Sequence, residues 1–190
     1  GLDEENARAV CEQTGVYLAN LNCPGQIVVS GDADKIDAAC EAAKAAGAKR
    51  AIPLPVAGAY HSPLMQPAQA GLAQALTKVG LQSPRVPVFS NVTGQAHVGT
   101  DTIAATMVDQ VTSSVRWEAC IRAMIADGVT RFIELGPGTE LTGFMRRIDR
   151  GLEVLSVGDS CFARGGVGGR EWFRARLVSV LSLIHISEPT

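Results

Sequence analysis

Apolar and polar residues alternate with two different periods in the first part of the chain. A helical spacing covers residues 4–14, where acidic residues open the first turn and small apolar residues share one face. Strand-like patterns follow over 16–20 and 26–30, separated by the turn signal Asn22-Cys23-Pro24-Gly25. These segments predict a helix followed by a β-hairpin.

A second helix and a third strand follow the predicted hairpin. Asp32 can cap a helix that runs to about residue 46. Residues 49–56 are strand-like, although Pro53 and Pro55 favour an edge or irregular position. The resulting order, α-β-β-α-β, is that of a split βαβ unit whose first strand is missing.

Beyond residue 61, short apolar segments alternate with longer helical ones. The predicted helices cover 63–79, 101–112, 116–127 and 140–150, and the predicted strands cover 85–91, 130–135 and 152–157. Strands that are separated by helices usually pair in parallel. This part therefore predicts an α/β layer, with helices on the faces of a parallel sheet.

The last 32 residues do not continue this pattern. Residues 159–190 form an atypical tail with a glycine-rich stretch at 165–169. Residues 181–190 resemble the translation of a transposase adapter used in sequencing libraries, so we left them out of the fold prediction. The chain also starts at Gly1 without a methionine, and we expect it to be a fragment.

Composition excludes several classes of function. A hydrophobic fraction of 46% and a charged fraction of 19% are typical of a globular chain with a real core. The net charge of −2 argues against nucleic acid as a partner, and no apolar run is long enough for a membrane span. The five cysteines are scattered without metal-ligand spacing, which favours a reduced, cytoplasmic protein without a bound metal.

His61 is the strongest candidate for chemistry. It lies between the strand-like segment and a helix-start signal in which Ser62 can cap and Pro63 can take the first helical position. A histidine held there has a defined direction and an open side, as a general base requires. The alternative is that His61 only caps or packs.

Four stretches of the chain carry a resemblance to one family. They are NLNCPGQIVVSG at 20–31, AGAKRAIPLPV at 46–56 followed by His61, Gln110 followed by VRW at 115–117, and ELGPG at 134–138 followed by LTG at 141–143. In this order they resemble the C-terminal part of bacterial malonyl-CoA:acyl-carrier-protein transacylases. The resemblance covers about residues 1–158.

The resemblance implies an α/β fold with two parts. Residues 1–57 would be a ferredoxin-like small subdomain that lacks its first strand. Residues 58–158 would be the C-terminal part of an α/β-hydrolase-like acyltransferase domain. We expect the intact enzyme to be a monomer in the cytoplasm.

The resemblance also implies a reaction. A malonyl group would pass from coenzyme A to a serine, and then to the phosphopantetheine thiol of acyl carrier protein, in fatty-acid synthesis. His61 would act as the base in both steps, while the main-chain carbonyl of Gln110 would hold its other ring nitrogen. Malonyl-CoA is the substrate, and no bound cofactor or metal is expected.

Two parts of this site are absent from the sequence. No G-x-S-x-G motif occurs, and neither Arg50 nor Arg116 matches the arginine that binds the malonyl carboxylate in the family. We therefore expect this chain to be inactive alone. Tyr60 and Asn22 remain as substrate-binding candidates: the Tyr60 ring could exclude an α-methyl group, and Asn22 could face the cleft or form an Asx turn.

Two other functions stay open. The chain could belong to the acyltransferase domain of a polyketide synthase. Residues 1–57 could instead be a ferredoxin-like binding module without catalysis, which would need no oriented histidine at position 61.

Overall fold

Helices and strands alternate through the 161 residues that the computed structural model describes, 1–158 and 179–181. The helices are α1 (Glu4–Thr14), α2 (Ala33–Ala45), α3 (Gln66–Leu76), α4 (Thr100–Gln110), α5 (Trp117–Ala126) and α6 (Glu140–Ile148). The strands are β1 (Tyr17–Cys23), β2 (Gln26–Ser30), β3 (Val88–Ser90), β4 (Arg131–Leu135), β5 (Glu153–Val157) and β6 (Ser179–Leu181). The predicted α/β class is confirmed.

The predicted hairpin forms between β1 and β2. The two strands pair antiparallel across the turn Pro24-Gly25, in which Gly25 adopts a φ of 71° that favours glycine. The pairing slips between Leu21 and Cys23, so Asn22 lies at a bulge near the end of β1. Helices α1 and α2 cover the hairpin, and the shared core consists of Ala7, Cys11, Val16, Leu18 and Ala39.

A second core is built around α5. Four residues of this helix are buried, and strands β3 and β4 and helix α6 contribute the side chains that surround them. The members of this core are Phe89, Val115, Trp117, Cys120, Ile121, Met124, Val129, Phe132 and Met145. Because α5 also packs against β1, the second core adjoins the hairpin.

Strands β4 and β5 pair in parallel, as predicted for this region. Along β4 the side chains alternate: Phe132 and Glu134 are buried, whereas Ile133 and Leu135 are exposed. Strand β3 pairs in parallel with β6, which lies in the atypical tail and ends at Leu181, the first residue of the adapter-like stretch. The rest of that tail, 159–178 and 182–190, lies outside the described residues.

Glu134 explains why ELGPG precedes α6. Its carboxylate accepts hydrogen bonds from the backbone N–H groups of Leu141 (3.0 Å) and Thr142 (2.9 Å) and from the Thr142 hydroxyl (2.6 Å). These N–H groups belong to the first turn of α6, which has no partner for them within the helix. A buried carboxylate therefore replaces the usual cap and complements the positive end of the helix.

One prediction of secondary structure was wrong, and one predicted helix is shorter in the structure. Residues 49–56 form no strand: the chain is irregular there and leaves Ile52, Leu54 and Val56 exposed. Pro53 and Pro55 lack N–H donors, and no described strand lies beside the segment to pair with it. The helix predicted over 63–79 is shorter, because it begins with a 3₁₀ turn at Pro63–Met65 and α3 ends at Leu76.

Asp32 does not cap α2 with its side chain. It occupies the N-cap position, but its carboxylate accepts a hydrogen bond from Lys35 Nζ at 2.8 Å instead.

None of the helices within the described residues is long and apolar enough to cross a membrane.

Replacing Gly94 by alanine should destabilise the fold. Gly94 has a φ of 71°, and an added Cβ would lie 2.7 Å from the Cβ of Ala119 on α5. We expect a loss of about 2 kcal/mol in the free energy of unfolding. Gly71→Ala on α3 is the control, because a Cβ there meets open space and should stabilise by about 0.5–1 kcal/mol. Urea unfolding followed by circular dichroism measures both, and equal effects would contradict the prediction.

Cys120 should resist alkylation in the folded protein. Burial raises the pKa of its thiol from an ordinary 9.0 to about 12, so at pH 8 only about one molecule in 10⁴ carries the reactive thiolate. Cys40 on α2 is partly exposed. Mass spectrometry after a timed iodoacetamide pulse should find Cys40 modified well before Cys120. Equal rates without denaturant would show that the α5 core opens freely.

Candidate active site

His61 occupies an unusual backbone position. It follows the irregular segment after α2 and precedes the 3₁₀ turn at Pro63–Met65. Its φ of 58° makes it the one non-glycine residue with positive φ in the part of the chain that the structure describes. Such a conformation costs about 1–2 kcal/mol for a residue with a Cβ. The surrounding contacts must hold it, and strain of this kind is typical of functional sites.

The His61 ring is oriented by a main-chain carbonyl. Its Nδ1 lies 3.0 Å from the carbonyl oxygen of Gln110, 49 residues further along the chain. A carbonyl oxygen only accepts hydrogen bonds, so Nδ1 carries the proton of the neutral ring. The lone pair is then on Nε2, the nitrogen that can take a proton from a nucleophile. The contact that the resemblance implied between His61 and Gln110 is present.

Gln110 owes its free carbonyl to its place in α4. It is the last residue of that helix, and the final carbonyls of a helix have no N–H partner within it. These carbonyls also form the negative end of the helix dipole, equivalent to roughly half an elementary charge. The oxygen is therefore available to accept the hydrogen bond from the His61 ring.

The loop after Gln110 is attached to the free edge of β1. Val115 donates its N–H to the carbonyl of Ala19 at 2.8 Å and accepts the N–H of Leu21 at 2.8 Å. The hydroxyl of Ser114 donates to the carbonyl of Leu18 at 2.5 Å. The loop thus extends the hairpin by one short parallel segment, and this sets the position of the end of α4.

The loop that carries His61 is attached to the other strand of the hairpin. The hydroxyl of Ser30, the last residue of β2, donates to the carbonyl of Tyr60 at 2.7 Å. Ser62 is fully buried, and its hydroxyl donates to the carbonyl of Ala59 at 2.6 Å. The prediction that the Ser62 side chain caps the following helix is wrong, because its hydroxyl turns back toward Ala59.

The other two predicted site residues lie on these same elements. Tyr60 precedes His61, and its ring folds back over Gly58, where an added Cβ would lie 3.4 Å from the ring. Asn22 is buried at the bulge of β1. Of the four predicted residues, the structure joins only His61 and Gln110 by a hydrogen bond. The roles of Tyr60 and Asn22 in binding stay predictions.

Ser30 and Ser114 were missed by the sequence analysis. Each forms a hydrogen bond to a carbonyl that is 30 or more positions away in the chain. Serine is common in ordinary turns and loops, so its presence at these positions carries no distinguishing signal. Among the described residues, no group of three His, Cys, Asp or Glu side chains could hold a metal ion.

Comparisons with known proteins identify the family of this chain. A family model described as "Acyl transferase domain" matches residues 1–155. The malonyl CoA-acyl carrier protein transacylase of Bacillus subtilis (strain 168) is 43% identical over 164 residues, which are 84% of this chain and 52% of that protein. The chain spans about half the length of the curated relatives that it matches.

Solved structures give the same result. An acyl carrier protein S-malonyltransferase from Vibrio cholerae matches with a TM-score of 0.81 and 39% identity, over 84% of this chain and 53% of that one. A malonyl-transacylase in complex with its type II polyketide-synthase acyl-carrier protein matches with a TM-score of 0.78 and 34% identity, over 83% and 52% of the two chains.

The residues matched by the family model include the hairpin, His61, α4 with Gln110, and the ELGPG turn before α6. The chain belongs to the acyl transferase domain family.

Proposed function

We propose that this chain forms the C-terminal half of an enzyme that transfers a malonyl group from coenzyme A to the phosphopantetheine thiol of acyl carrier protein, in fatty-acid synthesis. The observation that carries the proposal is the contact of 3.0 Å between His61 Nδ1 and the Gln110 carbonyl. The relative from Bacillus subtilis, named for this reaction, supports the choice of substrate and carrier.

In the first half of the reaction, Nε2 of His61 takes the proton of a serine hydroxyl supplied by a segment outside this chain. The serine oxygen attacks the malonyl thioester carbonyl and forms an ester, and the carbon–sulfur bond to coenzyme A breaks. His61 then gives its proton to the departing thiolate. The Gln110 carbonyl keeps the ring in the tautomer that makes both transfers possible.

In the second half, the thiol of the carrier protein takes the place of the serine hydroxyl. Nε2 of His61 accepts its proton, and the thiolate attacks the malonyl-serine ester. The serine leaves with the proton from His61, so the ring is neutral at the start and at the end of each half-reaction. Between these points the imidazolium is stabilised by the negative end of α4 rather than by a carboxylate.

One surface of the described chain supports further segments that complete the fold. Ile133 and Leu135 project from β4 on the face away from α5 and are exposed, although parallel sheets are normally covered on both faces. This exposed face suits an additional layer of the same domain, which would supply the nucleophilic serine and the arginine for the malonyl carboxylate.

We assign Tyr60 and Asn22 to the acyl-binding side of this site. Tyr60 adjoins the base directly, and its aromatic ring would restrict space beside the α-carbon of the acyl group. Asn22 lies at a bulge, a feature that often redirects a side chain next to an active site.

We further propose that the intact enzyme is a monomer in the cytoplasm without a bound cofactor. The cysteines among the described residues form no disulfide, as a reducing compartment favours.

A second candidate function differs only in the carrier. The matching malonyl-transacylase that was solved with a type II polyketide-synthase acyl-carrier protein favours polyketide synthesis as the alternative. Measuring kcat/KM with a fatty-acid and a polyketide carrier protein in parallel distinguishes the two. A binding module without catalysis would not need the oriented His61, so the effect of His61→Ala on malonyl transfer also tests this third alternative.

Replacing His61 by alanine in the complete enzyme should abolish most of the malonyl transfer. We expect a loss of about 10²- to 10⁴-fold in kcat/KM, the usual contribution of a general acid–base group. The measurement is transfer of radiolabelled malonyl from coenzyme A to carrier protein. His97→Ala is the control, because the His97 ring contacts Thr106 instead of Gln110. If His61→Ala transfers malonyl at the wild-type rate, the assignment is wrong.

Replacing Gln110 by alanine should have a much smaller effect. The variant keeps the carbonyl that holds His61, so we expect less than a tenfold loss in kcat. Val115→Pro removes the N–H that attaches the loop to Ala19 and should reduce kcat further, with circular dichroism as the check on folding. A loss for Gln110→Ala as large as that for His61→Ala would show that the side chain, and not the carbonyl, is the functional group.

A further inference from the structure

Two serine hydroxyl groups, separate from the contact between His61 and Gln110, hold the strained backbone of His61. The carbonyls of Ala59 and Tyr60, the two residues before His61, each accept a hydrogen bond from a serine. One serine, Ser30, comes from the distant strand β2. The other, Ser62, closes the turn from within.

The Ser30 contact acts on the torsion that makes His61 unusual. The Tyr60 carbonyl belongs to the peptide group that joins Tyr60 to His61. Rotation of this group changes ψ of Tyr60 and φ of His61 together, so a fixed carbonyl direction holds φ at its positive value of 58°. A change in φ of His61 that ψ of Tyr60 does not compensate would move the Cα–Cβ bond of His61 relative to the Gln110 carbonyl.

The Ser62 contact restrains the neighbouring peptide group. Ser62 is completely buried, and its hydroxyl is 2.6 Å from the Ala59 carbonyl. A serine at the N-cap position normally bonds to the first turn of its helix, but no such bond forms here. The hydroxyl thus serves the loop of His61 and not the helix that follows.

We propose that Ser30 and Ser62 are positioning residues that keep His61 in its left-handed conformation and its ring on the Gln110 carbonyl. This inference rests on the proposed function, since it assigns the serines to the base of that reaction. Ser30 is the more informative of the two, because it connects the small subdomain to the histidine loop at a partly exposed position.

The test is a set of Ser30 variants in the complete enzyme. Ser30→Thr keeps a hydroxyl, whereas Ser30→Val has the same shape without one. We expect Ser30→Val and Ser30→Ala to lower kcat by about 10- to 100-fold with KM nearly unchanged, and Ser30→Thr to stay near the wild-type rate. Ser156→Ala is the control, because it removes a similar hydroxyl-to-carbonyl bond, to Gly138 at 3.0 Å, from a different turn.

A double-mutant cycle with His61→Ala separates positioning from general damage. If Ser30 acts through His61, then Ser30→Ala changes nothing in the His61→Ala background. An equal fractional loss in both backgrounds, or wild-type rates for Ser30→Val, overturns the inference. Wild-type activity of His61→Ala alone would instead overturn the proposed function. If Ser30→Ala does not fold, the comparison of Ser30→Thr with Ser30→Val decides the question.

Discussion

The hairpin of β1 and β2 is the frame on which the candidate site depends. The loop after Gln110 pairs with the free edge of β1 through Val115, and the loop of His61 is attached to the end of β2 through Ser30. Because both loops are bonded to the same pair of strands, their separation is set by rigid β-structure rather than by the 49 residues between them. A hydrogen bond between two irregular loops would otherwise carry the full entropic cost of ordering both.

In the proposed mechanism, the end of a helix takes the place that a carboxylate has in many serine hydrolases. A buried aspartate would stabilise the imidazolium more strongly, but it would also carry its own cost of burial. The last carbonyl of α4 is unpaired by the geometry of any helix, so its use by His61 satisfies a group that needs a partner. The neutral acceptor selects the tautomer that carries its proton on Nδ1.

The two cores differ in how completely the described chain encloses them. The core under the hairpin is covered by α1 and α2, whereas the sheet of β4 and β5 is covered only on the side of α5 and α6. Five of the exposed large apolar residues lie on the other side of this sheet or within residues 52–56. A strand at 49–56 was predicted from its apolar pattern, yet a strand exists only where a neighbour accepts its hydrogen bonds.

The sequence by itself determined most helices and strands and the parallel pairing of the α/β part, because these depend on periodicity, a local property of the chain. The two residues of the histidine–carbonyl contact came from the resemblance to one family, and the structure brings them together. The tertiary structure alone decided that Ser62 serves its own loop, that Ser30 and Ser114 secure the site, and that residues 49–56 stay irregular. The outcomes at Ser30, Ser114 and residues 49–56 depend on whether a partner distant in sequence is present, and the Ser62 bond to Ala59 depends on the conformation of the loop between them. No local pattern of residue types encodes these conditions.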